Sequence, residues 1–440
     1  MIGVIILAAG KGKRMQSFIP KVMHKIAGKP MLEHVLSSVE SLNPIQTIVV
    51  TSAFLKNYLN EHKKNYAIDF VFQEDPLGTG HAVKCAIDSL NPKIESVIIL
   101  CGDTPLIQSE TLEQLKSSAT DLTVLSMKLE DKDIDKGYGR LITQNNHVLE
   151  IVEMKDATEE QKKIPFANGG IYKISMHTLK DTLKDITNNN QAHEYYLTDC
   201  IKIAHQKGYS VSHIKTSKED CFGVNSRAEL AQAEKLLQER LRSFHMKNGA
   251  TLIDPSSVFF DTTTSVGKDV VIYPNVIFGK NVTLFDNVTI FANCTIEESV
   301  CHPFSKVGPF AHLRGGCTLN EKAEVGNFVE IKKTIFGKGS KAKHLSYLGD
   351  TTLGEKVNIG AGVITCNYNG FKKFKTTIGS FSFIGSNSAL IAPLEIGDNA
   401  IIGAGSTITK NVSSNAISLT RPEQVTKEGA AVVFKKRYSQ

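Results

Sequence analysis

The chain has 440 residues, enough for two or three domains, with 41% hydrophobic residues, 22% charged residues and a net charge of +6. That charge is mild and spread out, with no long Lys/Arg block, which argues against nucleic acid and leaves anionic small molecules as partners. No window approaches the roughly 20 apolar residues of a membrane span. The first apolar run is too short for a signal peptide, and the eight cysteines show no CxxC framework, so reduced thiols in a cytoplasmic protein are expected.

The opening "MIGVIILAAGKGKRM" is a short apolar strand that ends in a glycine turn and a knot of cations. Free amides at Gly10 and Gly12 suit a phosphate, and Arg14 and Lys21 add charge-assisted bonds. The turn lacks the third glycine of a dinucleotide fingerprint and is not a Walker loop, so an ordinary turn with solvated lysines stays open. Strands are predicted over 4–8, 47–51, 70–73, 96–101 and 122–128, with amphipathic helices over 31–40, 81–89 and 109–118 between them. This alternation predicts an α/β, Rossmann-like first domain, a mostly parallel mixed sheet covered on both faces, over residues 1–227. "QEDPLGTGHA" places Gly78 and Thr79 in a second tight turn. "VIILCGDTPL" puts Asp103 just past the carboxyl end of a buried strand, where such sheets bind ligands. A carboxylate there suits a divalent cation shared with substrate phosphates, or else caps its own loop.

Residues 228–248 predict a linker helix. Ser226 and Glu229 have capping-box spacing, Leu230, Ala233, Leu237, Leu241 and Phe244 share a face, and Asn248–Gly249 stops it. A helix packed wholly within the first domain is the alternative.

After Gly249, in a second domain over residues 249–440, the period becomes six as far as about residue 420. Val266, Ile272, Phe278, Leu284, Ile290 and Ile296 form one column, and Val270, Val276, Val282, Val288, Cys294 and Val300 a second. The register slips near 301–305 and resumes as Val307, Leu313, Leu319, Val325 and Ile331, then from Ile378 to Ile408. Glycine repeatedly follows the aliphatic residue, from Gly267 to Gly403. Period six predicts a hexapeptide parallel β-helix of roughly nine coils, with glycine or a small residue turning the corners. "CNYNGFKKFKTT" breaks the count and leaves the prism as a loop. Arg314, Lys332, His344, Tyr347, Asn358, Asn367 and Tyr368 form a polar set that stacked coils can gather on one ridge. Free imidazole, with a pKa of about 6.5, can take a proton from an attacking amine near neutral pH, which suits His344 to a general base; a surface histidine is the alternative. The tail "KEGAAVVFKKRYSQ" either lies over an anionic group or is solvated.

"LAAGKGKRM", "PKVMHKIAGKPM", "LGTGHA", "CGDTPL", "GYGRL", "IVEMKDA" and "FGVNSR" occur in the order seen in sugar-1-phosphate nucleotidyltransferases. With the β-helix behind them, the chain resembles the bacterial family of bifunctional N-acetylglucosamine-1-phosphate uridyltransferases and glucosamine-1-phosphate N-acetyltransferases, over nearly its whole length. The resemblance implies a left-handed β-helix and assigns each site residue a role by its position. Leu7, Ala8, Ala9, Gly10, Gln73, Gly78 and Thr79 would meet the UTP base and ribose, and Arg14 and Lys21 its triphosphate. Asp103 and Asn225 would ligate Mg2+, Asn225 also lying among the nucleotide-sugar contacts, and Gly139, Glu153 and Asn168 would hold the sugar. Arg314, Lys332, Tyr347 and Asn358 would bind glucosamine-1-phosphate, with His344 the proton acceptor. Ala361, Asn367, Tyr368, Ser386, Ala404 and Arg421 would contact acetyl-CoA. Family members are trimers with acetyl sites between prisms.

Four positions depart from the family pattern: Lys13 and Gly169 where Thr is frequent, Cys101 where Tyr is common, and Gly315 where Pro usually follows Arg314. The rival reading is a single-activity nucleotidyltransferase whose β-helix is structural or regulatory; the polar set around His344 opposes it.

Overall fold

The computed structural model describes residues 1–61, 68–130, 137–144 and 147–439. The chain divides into two compact units, Met1–Leu237 and Gln238–Gln440, with the division inside the helix Arg227–Lys247.

The first unit is built on a nine-stranded mixed sheet. Its main path runs Val211–Thr216, Leu122–Lys128, Phe166–Ser175, Ser96–Cys101, Ile2–Leu7, Gln46–Thr51 and Asp69–Phe72. Phe166–Ser175 is antiparallel to both its neighbours, while the other pairs on this path are parallel. The continuous apolar strands have a simple cause. Ile5, Ile48, Val50, Val97 and Ile99 pack into one core, and Val4, Ile6, Val49, Ile98 and Leu100 into another. Successive residues point to opposite faces, so a strand covered on both faces must be apolar throughout. Leu7 pairs with both Val50 and Cys101, which brings the carboxyl ends of three strands to one edge.

Ser226 begins the long helix, its hydroxyl accepting from the Glu229 amide at 3.3 Å. The Glu229 carboxylate closes back on the Asn225 amide (2.8 Å) and the Ser226 hydroxyl (3.0 Å), so the box reaches one residue further back than its spacing predicts. Leu230, Ala233, Leu236 and Leu237 pack with Ile26, Met31, Leu106, Phe222 and Val224 in the first unit. In the second unit the Gln238 amide exchanges hydrogen bonds with Phe260 O (2.6 Å) and Phe260 N (2.8 Å), and Leu241 packs on the β-helix core. Phe244 is exposed, contrary to its assigned face; His245, four residues after Leu241, turns inward against Phe260 instead.

The second unit consists of three parallel sheets of ten, eight and eight strands, each pairing with the coil before and after. Among the column residues only Val266 and Val300 escape full burial. Each buried aliphatic side chain contributes about 1.5–3 kcal/mol. The register slip comes earlier than the sequence suggested. Ser299, rather than Val300, takes the inward place after Cys294, and Leu284 of the first column pairs with Cys301. The corners also differ from expectation. Asp269, Asn275, Asn281, Asn287 and Asn293 hold the left-handed conformation, which Asn and Asp tolerate best after glycine. Most glycines that follow the aliphatic residue have ordinary backbone angles and are needed for another reason. A Cβ on Gly385 would lie 2.4 Å from Ala404 N, and one on Gly360 2.6 Å from Ser386 N, so a side chain would collide with the next coil.

Two histidines outside any candidate site set an acid limit on stability. Burial lowers the pKa of His34 in the first unit and of His245 in the second. The unfolded chain binds protons below about 6.5 that the folded chain resists, so this contribution is complete above that pH and lost as pH falls below it. Thermal melts at about pH 7.5 and about pH 5.5 are expected to show a lower transition at the acid value, with a smaller drop in His245→Phe. An unchanged transition would contradict this assignment.

Candidate functional sites

The first site follows from the strand ends. The backbone leaves Ile2–Leu7 with Ala8 N bound to Val50 O (2.8 Å) and then turns through Gly12 at φ 58°. Among the described residues, the amides from Ala9 to Gly12 have no protein acceptor. They border a cleft of about 470 Å³ lined by Leu7, Ala8, Ala9, Gly10, Gln73, Gly78, Thr79 and Asp103, with Lys11, Lys13 and Lys21 supplying positive charge. The second turn is fixed in place. Gly78 has φ 115°, and a Cβ there would lie 2.5 Å from Tyr195 O. Gly80 N donates to that same oxygen (2.8 Å), and Leu197 N donates to the Thr79 hydroxyl (3.0 Å). Buried Gln73 donates to Gly78 O at 3.1 Å, joining the turn to the strand edge.

Asp103 and Asn225, far apart in sequence, meet at one cation. The Lys21 ammonium is paired with the Asp103 carboxylate and donates to Asn225 Oδ1 at 3.0 Å. Val224 N donates to Asp103 O (2.9 Å), which holds the two segments together. One carboxylate and one amide carbonyl converging on a point fit a hard cation that draws its other ligands from phosphate and water. Among the described residues no group of three or more His, Cys, Asp or Glu gathers as a metal cage.

Arg14 follows the glycine turn. It is exposed on the short turn Lys13–Met15 and is not among the cleft-lining residues, whereas Lys11 and Lys13 are. Glu194 also lines the cleft, from a loop that no local pattern marks. Cys101 sits at the cleft floor; burial pushes its thiol up to about 12, so it is a protonated, inert wall.

Gly139, Glu153 and Asn168 come together beside the antiparallel strand. Asn168 N donates to Gly139 O (2.9 Å), and a Cβ on Gly139 would stand 3.3 Å from Glu153 Oε2. They do not appear among the residues of the glycine-turn cleft. Burial raises the Glu153 carboxyl above its usual range, while a 3.2 Å bond from the Thr198 hydroxyl opposes the shift. Gly169 answers its own departure. A Cβ there would lie 2.5 Å from Cys221 Sγ and 2.7 Å from Leu125 O, leaving no room for Thr in this core.

In the second unit, stacking gathers residues that sequence keeps apart. Arg314 pairs in register with Lys332, and Lys332 with Gly349. Arg314 is ion-paired to Glu330 at 2.8 Å. The charge of Lys373, on the loop that leaves the prism, and then that of Arg314 lower the Lys332 pKa. Crowded cations of this kind accommodate an anion. The sequence reading missed Lys373, although the cation-rich loop held the signal.

Asn367 Nδ2 donates to Asp350 Oδ2 (2.6 Å), and the Asn367 amide and Tyr347 hydroxyl close over Gly349, where a Cβ would meet them at 2.5 and 2.6 Å. Exposed Tyr368 bonds Gly370 O within the same loop. Ala361, Ser386 and Ala404 are equivalent positions of successive coils, since Asn387 N donates to Ala361 O (2.7 Å) and Gly405 N to Ser386 O (2.8 Å). The Arg421 guanidinium reaches this face from the last coil, 3.6 Å from the Cβ position of Gly403. The tail helix Ala430–Tyr438 buries no residue, and Gln440 lies outside the described residues. Gly315 has φ 39°, a conformation closed to proline, and its carbonyl accepts from Lys333 N (3.0 Å), so this corner is tied into the next coil.

His344 is exposed at the end of Lys341–His344, one corner away from Tyr347. Asn358 lies on the next strand of that sheet, paired with Lys341.

A glycine turn at the carboxyl edge of a covered sheet, followed by a hexad β-helix with stacked cations, defines a two-part transferase. Residues 4–133 match the MobA-like NTP transferase domain, and residues 375–410 match the bacterial transferase hexapeptide (six repeats). The chain is 43% identical to the bifunctional protein GlmU of Zymomonas mobilis subsp. mobilis, over 98% of this chain and 97% of that one. Against GlmU of Heliobacterium modesticaldum the identity is 44% over 96% of each, and against that of Paramagnetospirillum magneticum 42% over 99% and 96%. The chain belongs to the GlmU family of bifunctional proteins. It is an enzyme that combines a nucleotidyltransferase with a hexapeptide-repeat acyltransferase. No helix among the described residues is long and apolar enough to cross a membrane.

Proposed function

We propose that the β-helix unit acetylates glucosamine-1-phosphate with acetyl-CoA, and that the first unit then transfers UMP from UTP to N-acetylglucosamine-1-phosphate, releasing pyrophosphate. The observation that carries the first half is the convergence of Asp103 and Asn225 on the Lys21 ammonium. These two residues would hold Mg2+. When bound, that ion would neutralise charge on the triphosphate. The Ala9–Gly12 amides, Arg14 and Lys21 grip the phosphates, with Lys11 and Lys13 adding positive charge at the cleft; Gln73, Gly78 and Thr79 face the base and ribose. Gly139, Glu153 and Asn168 orient the sugar, whose phosphate oxygen attacks the α-phosphorus in line. No covalent protein intermediate is needed, so positioning and charge do the work.

In the second unit Arg314 and Lys332 hold the phosphate of glucosamine-1-phosphate, with Tyr347 and Asn358 on the sugar. His344 takes a proton as the amine attacks the thioester carbonyl, and the thiol of CoA leaves. Ala361, Asn367, Tyr368, Ser386, Ala404 and Arg421 line the path of acetyl-CoA.

A homotrimer is part of this reading. Phe310, Phe328 and Leu345 hold left-handed corners and remain 50%, 57% and 61% exposed, next to His344. Bulky apolar residues in that conformation are rare, and an exposed stripe of them suits burial against a neighbouring prism. Eight free cysteines and small anionic metabolites suit the cytoplasm.

The test is to supply the purified protein with glucosamine-1-phosphate, acetyl-CoA, UTP and magnesium and to follow products by mass spectrometry. UDP-N-acetylglucosamine is expected. With EDTA, N-acetylglucosamine-1-phosphate is expected to accumulate instead. Equal loss of acetyl transfer on chelation would contradict the assignment of the metal to the first unit.

A further inference from the structure

His344 is bonded to a residue that neither the hexad pattern nor the polar ridge singles out. Asn327 ends the strand Glu324–Asn327, His344 ends Lys341–His344, and the two are register partners. The His344 Nδ1 lies 2.8 Å from Asn327 Oδ1. Their backbones are also clamped, because Leu345 N donates to Asn327 O at 3.0 Å. The other charged side chains of these two strands, Lys341 and Lys343, are engaged with Glu324 at 3.1 and 2.9 Å.

We infer that Asn327 is a positioning residue for acetyl transfer, fixing the tautomer and ring plane of His344. The inference rests on the reading of His344 as the proton acceptor. An amide oxygen only accepts, so Nδ1 must carry the hydrogen of this bond. In the neutral ring the lone pair is then at Nε2, the atom left free to take the proton of the attacking amine. After that transfer Nδ1 still donates to Asn327, so one bond serves both protonation states. The amide is neutral, and it therefore orients the ring without the rise in basicity that a carboxylate would impose.

The test compares Asn327→Ala, Asn327→Asp and His344→Ala in the full-length protein, with uridylyl transfer as the control for folding. Asn327→Ala is expected to lower kcat for acetyl transfer about tenfold or more, within the roughly 10²–10⁴-fold that a general base supplies, with KM for both substrates little changed. Asn327→Asp keeps the acceptor and adds charge. It is expected to recover much of the rate and to move the acid limb of the kcat/KM pH profile upward, a shift that a merely structural role would not produce. In a His344→Ala background, Asn327→Ala should add no further loss. An inactive His344→Ala with a wild-type Asn327→Ala, or an unmoved limb in Asn327→Asp, would overturn this inference alone. An active His344→Ala would instead remove the base assignment beneath it.

Discussion

Replacing Asp103 by Asn is expected to reduce pyrophosphate release at least about a hundredfold while leaving CoA release near normal. The substitution keeps the side chain's size and shape and removes only its charge. Asp103 is one of two oxygen donors at the cation point, and it is the only one of the two that carries charge. Without it, Lys21 loses its ion-pair partner and the proposed metal loses its only anionic protein ligand. The backbone bond from Val224 N to Asp103 O does not depend on the side chain, so the loop and Asn225 should stay in place. Acetyl transfer uses residues of the other unit and should not respond. Pyrophosphate and free thiol, measured on one preparation, read the two activities separately.

The opposite pattern is expected for His344→Ala. CoA release should fall by about 10²–10⁴-fold, the usual contribution of a general base, while uridylyl transfer to N-acetylglucosamine-1-phosphate continues. Arg314 and Lys332 remain to grip the sugar phosphate, so the loss should appear in kcat more than in KM. His344 is exposed and bears no part of the β-helix core, which leaves the fold unaffected by truncation. A variant that folds and yet loses both activities would contradict the separation of the sites.

Much of this was legible because burial imposes a period. The doubly covered sheet demanded continuous apolar strands, and these located the glycine turn and Asp103 at their carboxyl ends. The prism demanded an aliphatic residue every sixth place, which revealed the β-helix. What sequence hid depends on exact coil length. Val307 pairs with Val325, eighteen residues on, but Val325 pairs with Ala342, seventeen on. That one missing residue decides that Asn327 meets His344. The Cys301 shift has the same cause, a shortened coil from Leu284. Lys373 acts on Lys332 from the loop that breaks the hexad count, a proximity that no period marks. Arg14 follows the same glycine turn but is exposed on Lys13–Met15, while Lys11 and Lys13 line the cleft. The glycine columns were found correctly and explained wrongly, since contact between coils, rather than torsion, excludes a side chain at most of them.

The most direct measurement mixes purified Asp103→Asn with purified His344→Ala in the presence of glucosamine-1-phosphate, acetyl-CoA, UTP and magnesium. Each protein alone should fail to make UDP-N-acetylglucosamine from these substrates, and the mixture should make it, one protein supplying the acetylated intermediate to the other. A mixture as inactive as its parts, with both proteins folded, would contradict two chemically independent sites on this chain.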